Sequence, residues 1–214
     1  MTPDRPTVLV ARHGETAWNR AGRIQGGTDT PLSDVGLAQA RALADRLALE
    51  SIARVVSSDL ARARVTAEVV ARACGVPLEL DARLREIGLG EWEGLTWDEV
   101  EARDPELKRT FKSRDPDVRP PGGETRGEAQ ARAWAALEEH GSLATGKLVL
   151  LVTHGAVLQG LVRHALGIAP GVMHSFRTPN ASLFTFVREG GRWFARGLSD
   201  TSHLPADPNA SPEF

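Results

Sequence analysis

The chain has 214 residues, 41% of them hydrophobic and 25% charged, with a net charge of −2. That is enough for one soluble domain with a full core, and it argues against a nucleic-acid partner or an anionic membrane. No apolar run approaches the roughly 18 residues of a membrane helix, Met1 to Pro6 lacks a secretory apolar region, and Cys74 is the only cysteine, which leaves no internal disulfide and points to the cytoplasm.

Thr7 to Ala11 is a continuous apolar run, as expected of a strand covered on both faces. Ser33 is placed to cap a helix carrying Leu37, Ala40, Ala44 and Leu47 at helical spacing. Ala53 to Ser57 reads as a second strand, and Leu60 to Ala73 as a helix stopped by Gly75 and Pro77. Thr96 with Glu99 and Thr125 with Glu128 form capping boxes, the second for a helix ending near Gly141. Asp104 to Gly123, rich in Pro, Asp and Arg, reads as a surface loop or lid. Leu148 to Val152 is a third buried strand, followed by a helix over Ala156 to Leu166 that Gly167 and Pro170 end. Ser182 to Arg188 and Arg192 to Leu198 flank Gly190-Gly191 as a hairpin. Strands alternating with helices predict an α/β fold: a three-layer α/β/α sandwich with a mostly parallel central sheet, an antiparallel edge strand and a small lid over about residues 88–124. Residues 1–204 form one domain in this reading, and 205–214 a loose tail.

Ligands of such sheets bind beyond the carboxyl ends of the strands. The first strand ends in Arg12-His13-Gly14, the second in Ser57-Ser58-Asp59 with Arg62 one turn into the next helix, and the third in Thr153-His154-Gly155. Two arginines and two histidines at one edge suit a phosphate dianion, because guanidinium forks and helix N-terminal amides bind its oxygens. One histidine would attack phosphorus while the other donates to the oxygens, and the following glycines allow close backbone approach. Taken singly, each of these residues is an ordinary satisfied polar group or surface charge; the paired setting is what carries the reading. His154 with His164 lacks a third metal ligand at recognisable spacing, so no metal and no cofactor is expected. The arginine excess, 23 against 3 lysines, is no evidence of anion binding by itself.

With these residues in view, the sequence resembles the histidine phosphatase superfamily, the group containing the cofactor-dependent phosphoglycerate mutases. RHGETAWN (12–19), GGTDTPLSDVGLAQA (26–40), SSDLARA (57–63), LREIGLGEWEG (84–94), PGGET (121–125) and VTHG (152–155) follow one another in the order of that family. The resemblance implies that His13 is the nucleophile, that Arg12, Arg62 and His154 clamp the phosphoryl group with Gly155 beside them, that Asn19 touches it, and that Gln25 and Gly26 lie in the substrate loop. It implies that Glu86 is the general acid, a role that the residues alone do not single out among 28 acidic side chains. Glu86 is followed by Ile87-Gly88-Leu89 where the mutases resemble E-R-H-Y-G, and the chain has no tyrosine. The shorter broad-specificity phosphatases are therefore the nearer resemblance, implying a metal-independent phosphomonoester hydrolase of small phosphorylated metabolites. A phosphoglycerate mutase and a non-catalytic phospho-ligand module are the alternatives. The family also admits a homodimer, which no motif here decides.

Overall fold

The structure, a computed structural model, describes residues 5–144, 146–172 and 176–205. Strands β1 (Thr7–Arg12), β2 (Ile52–Ser57), β3 (Leu78–Leu80), β4 (Leu148–Thr153), β5 (Leu183–Glu189) and β6 (Arg192–Asp200) form one sheet in the order β3-β2-β4-β1-β5-β6. The first four of that order pair in parallel, β5 runs antiparallel to β1, and β6 runs antiparallel to β5. The reversed strand is thus β5, and the hairpin predicted around Gly190-Gly191 supplies the edge.

The continuous apolar runs have the reason expected of them. Along β1, Val8 and Val10 enter one core while Leu9 and Ala11 enter another, because successive side chains of a strand point to opposite faces. After a one-turn helix α1 (Ala17–Arg20), helices α2 (Asp34–Leu47) and α3 (Ala61–Cys74) cover one face, meeting it with Leu43, Leu47, Ala67 and Val70. Helices α6 (Arg126–Ser142) and α7 (Gly155–Ala165) cover the other with Leu137, Leu158 and Leu161. Ser33, Thr96 and Thr125 all accept the N–H three residues on, as caps should. Gly75 ends α3 in the left-handed conformation. The buried stripe of α2 runs through Gly36, Ala40, Leu43, Ala44 and Leu47; Leu37 is only half-buried.

The lid departs from expectation. The short helix expected after Thr96 is α4 (Trp97–Arg103), but the segment expected as a loop from Asp104 contains a further helix, α5 (Pro105–Lys112). Pro105 occupies its first turn, where a missing N–H costs nothing, and Phe111 is 1% exposed. Its ring meets Trp92 and Trp97 in a third, smaller core with Ile24, Ile87 and Val100. Apolar burial overrides a polar composition here. Of the tail, residues 206–214 lie outside the described residues.

Candidate active site

Because β1, β2 and β4 are parallel, their carboxyl ends reach one edge of the sheet. A cleft of about 320 Å³ opens there, lined among others by Arg12, His13, Asn19, Gln25, Gly26, Arg62, Glu86 and Gly155. All the residues expected at the site except His154 line this cleft.

His13 is buried, and its Nδ1 lies 2.7 Å from the carbonyl oxygen of Gly14. A carbonyl only accepts, so Nδ1 carries the proton and Nε2 keeps its lone pair. Burial first, then the Arg12 and Arg62 charges, hold its pKa well below the ordinary imidazole value. The ring is therefore neutral, with the lone pair on Nε2. Gly14 has a structural need beyond closeness to a ligand: a Cβ on it would stand 2.4 Å from the carbonyl oxygen of Gly36 in α2. A Cβ on Gly155 would stand 3.4 Å from Arg12 Nε.

The two arginines are fixed from behind. Arg12 Nη1 donates to the Thr178 carbonyl at 2.6 Å, while its buried Nε has no protein partner. Arg62 is fully buried and donates to the carbonyls of Thr28 and Gly26, each at 2.7 Å. Gly26 needs its positive φ of 53°, and a Cβ there would strike the Glu93 carboxylate at 2.2 Å. Gln25 and Asn19 close the loop side: Gln25 Oε1 accepts from Thr30 Oγ1 and Thr16 Oγ1, and Asn19 Oδ1 accepts from the Thr16 N–H.

His154 stands one layer back, its ring centroid 5.1 Å from that of His13. Its Nδ1 accepts from Arg62 Nε at 3.2 Å and its Nε2 faces Ser58 Oγ at 2.8 Å. Both ring nitrogens are engaged in this arrangement, and His154 braces Arg62. Burial, reinforced by the Arg62 charge, lowers its pKa well below the ordinary value, consistent with a neutral ring accepting from a guanidinium.

Glu86 reaches the cleft from the loop after a short 3₁₀ turn (Ala82–Leu84). One carboxylate oxygen accepts from the Ile87 and Val157 N–H groups at 3.0 and 3.3 Å, the other from Ala156 N–H at 3.2 Å. Helix α7 has no side-chain cap of its own, and Glu86 serves as one from across the chain. Arg132 of α6 holds the loop itself. It donates to the carbonyls of Arg83, Arg85 and Glu86 at 2.7, 2.6 and 3.1 Å, and pairs with Glu124, whose backbone N–H bonds the Gly88 carbonyl. Sequence reasoning passed over Arg132, as it did Arg114 and Arg126, which also line the cleft; nothing local separates them from the other arginines. Among the described residues no group of three His, Cys, Asp or Glu side chains is arranged to hold a metal.

An imidazole lone pair, two fixed guanidinium groups and a carboxyl line one cleft, a set whose chemistry suits a phosphoryl group. The comparisons agree with that chemistry. A family model described as histidine phosphatase superfamily (branch 1) matches residues 8–201. The chain is 38% identical over 202 residues to a protein of Photorhabdus laumondii named probable phosphoglycerate mutase GpmB, covering 92% of this chain and 94% of that one. Among solved structures it resembles Bacillus stearothermophilus YhfR with a TM-score of 0.86 and 34% identity, covering 93% and 99% of the two chains. It also resembles a mycobacterial glucosyl-3-phosphoglycerate phosphatase in complex with VO3, at a TM-score of 0.80 and 30% identity, covering 92% of this chain and all of the other. Site and relatives coincide over nearly the whole length: the chain belongs to the histidine phosphatase superfamily, branch 1.

Proposed function

We propose that the chain is a metal-independent phosphomonoester hydrolase that works through a phosphohistidine on small phosphorylated metabolites. The observation that carries this reading is the His13 ring, whose Nδ1 is committed to the Gly14 carbonyl while the ring lines the cleft beside Arg12, Arg62 and Glu86. In the first step Nε2 attacks phosphorus, the ester P–O bond breaks, and Glu86 gives its proton to the leaving oxygen. In the second, water attacks the phosphohistidine, Glu86 takes a proton from it, and the P–N bond breaks to release inorganic phosphate. Arg12 and Arg62 balance the charge on the non-bridging oxygens throughout, which is the main catalytic demand of phosphoryl transfer. A cytoplasmic setting suits a chain with one cysteine, and no helix among the described residues is long and apolar enough to cross a membrane.

Phosphoglycerate mutase is the second reading, favoured by the name of the Photorhabdus relative. Against it, buried Ile87 lines the cleft directly after Glu86, where the mutases resemble an arginine that helps hold substrate. The test is a panel of phosphorylated metabolites assayed for released phosphate in EDTA, with 3-phosphoglycerate run with and without bisphosphoglycerate. Phosphate release that survives EDTA is the expected result. Bisphosphoglycerate-dependent isomerisation without net release would replace hydrolase by mutase, and activity restored only by a divalent ion would end the metal-free mechanism.

A further inference from the structure

Beside the catalytic cleft lies a second, smaller chamber of about 100 Å³, set between α6, α7 and the segment after α5. Ile87, Arg114, Arg126, Ala156 and Gln159 belong to the walls of both, so the chamber is a side arm of the cleft. Its far wall adds Gln130, Gly160 and Arg163. Three guanidinium groups and two amides therefore surround a small volume, and no Asp or Glu is among its lining residues.

The two arginines at the junction are held for use. Arg126 lies with its guanidinium carbon 4.0 Å above the Phe111 ring centre, and its buried Nε has no protein partner. Arg114 donates through Nη1 to Gln159 Oε1 at 2.9 Å. Its backbone has a φ of 68°, in the left-handed region just past the end of α5, where glycine would be the unstrained choice. The chain accepts that strain and keeps an arginine. Burial lowers the pKa of Arg126 to about 10, with repulsion from Arg114 and Arg163 adding to it and attraction from Glu86 opposing it. Burial, then the Arg163 charge, likewise lowers that of Arg114. Desolvated cations gathered around a chamber with no carboxylate in its lining are costly in the free protein, and the charge of Glu86 offsets only part of that cost at Arg126. The cost is relieved by an anion that enters the chamber, and the planar donor forks of arginine suit a carboxylate or phosphate.

Resting on the hydrolase reading above, we propose that this chamber is the specificity site for the substrate's other end: the substrate is a phosphomonoester carrying a second anionic group, a carboxylate or a phosphate, on a short carbon arm. The phosphoryl group to be removed lies between His13, Arg12 and Arg62, the arm passes Ile87 and Ala156, and the second anion meets Arg114 and Arg126.

A three-carbon series tests this: 3-phosphoglycerate, propane-1,3-diol bisphosphate, and glycerol 3-phosphate, which lacks a second anion. In the wild type, kcat/KM for at least one of the two members with a second anionic group should exceed that for glycerol 3-phosphate by tenfold or more. The better of the two identifies the second anion as carboxylate or phosphate. Arg126→Gln should shrink that ratio at least tenfold, chiefly through KM. Gly160→Leu, whose side chain would occupy the chamber from α7, should shrink it too. A Cβ at Gly160 makes only ordinary contact, 3.6 Å from Gln130, and a cooperative melting transition checks that the variant with the longer side chain folds. No preference in the wild type, or equal loss on all three compounds in both variants, would overturn the chamber. Should no compound release phosphate, the hydrolase reading falls and calorimetric binding of the same series decides: tighter binding of a member with a second anionic group, a preference that Arg126→Gln abolishes, supports the chamber, and equal binding overturns it.

Discussion

Glu86 and Ala156, 70 residues apart in sequence, are joined by a hydrogen bond of 3.2 Å from the Ala156 N–H to the Glu86 carboxylate. With the bonds from Val157 and Ile87 it fixes the orientation of the proposed acid and ties it to the helix that follows His154. A general acid matters in proportion to the basicity of the oxygen that leaves. Glu86→Gln should slow phosphorylation of His13 by an alkyl phosphate by roughly 10²–10⁴. Phosphorylation by p-nitrophenyl phosphate, whose leaving group needs little help, should suffer far less. Single-turnover rates make the comparison, and equal loss with both substrates would assign Glu86 to substrate binding.

Arg132 is the positioning residue behind that acid. Arg132→Met removes the donors to the Arg83, Arg85 and Glu86 carbonyls. Displacing a catalytic group by about 1 Å costs up to roughly a hundredfold, so alkyl phosphates should lose ten- to a hundredfold in kcat, p-nitrophenyl phosphate much less, and Arg132→Lys should recover part of the loss. A variant that loses both substrates alike has lost fold, not alignment.

The neutral His13 ring has consequences for pH. In the free enzyme the acid limb of kcat/KM that reports His13 should lie well below pH 6.5, since its pKa is pushed down by burial and by Arg12 and Arg62. Stability follows the same group. As pH falls below about 6.5 the unfolded imidazole takes up a proton that the folded one refuses, so unfolding becomes easier until the folded pKa is reached. Each such histidine steepens the decline by at most about 1.4 kcal/mol per pH unit. Urea titrations from pH 7 to 5 should show a shallower decline in His13→Asn than in the wild type. That variant, lacking the nucleophile, should also fall below about a hundredth of the wild-type rate.

Two glycines should respond in opposite ways to alanine. Gly14→Ala drives a methyl against the Gly36 carbonyl, backbone against which nothing can rotate away, and should cost roughly 1–3 kcal/mol in urea unfolding. Gly160→Ala, inside α7 with only ordinary contact around it, should stabilise by up to about 1 kcal/mol through helix propensity. A destabilised Gly160→Ala would show that α7 and α6 pack more tightly than their separation at Gln130 implies.

What the sequence determined by itself is local. Apolar runs that must be buried on both faces identified three of the strands; side chains that can accept an N–H three residues on marked three helix starts; and Arg12-His13, Arg62 and Thr153-His154 stood where parallel strands turn into loops and helices. Such signals need only neighbours in the chain. What tertiary structure alone decided is long-range. Leu78–Leu80 is a strand because β2 pairs with it, and α5 is a helix because Phe111 finds Trp92 and Trp97. His154 has both ring nitrogens engaged because Arg62 and Ser58 are there to meet them. Glu86 matched a family pattern, but its hold on the N-terminus of α7, and the convergence of Arg114 and Arg126 on one chamber, exist only once α6, α7 and the lid pack together. A charged side chain bears no periodicity that reveals what it will face, so its partner is settled by packing rather than by sequence spacing.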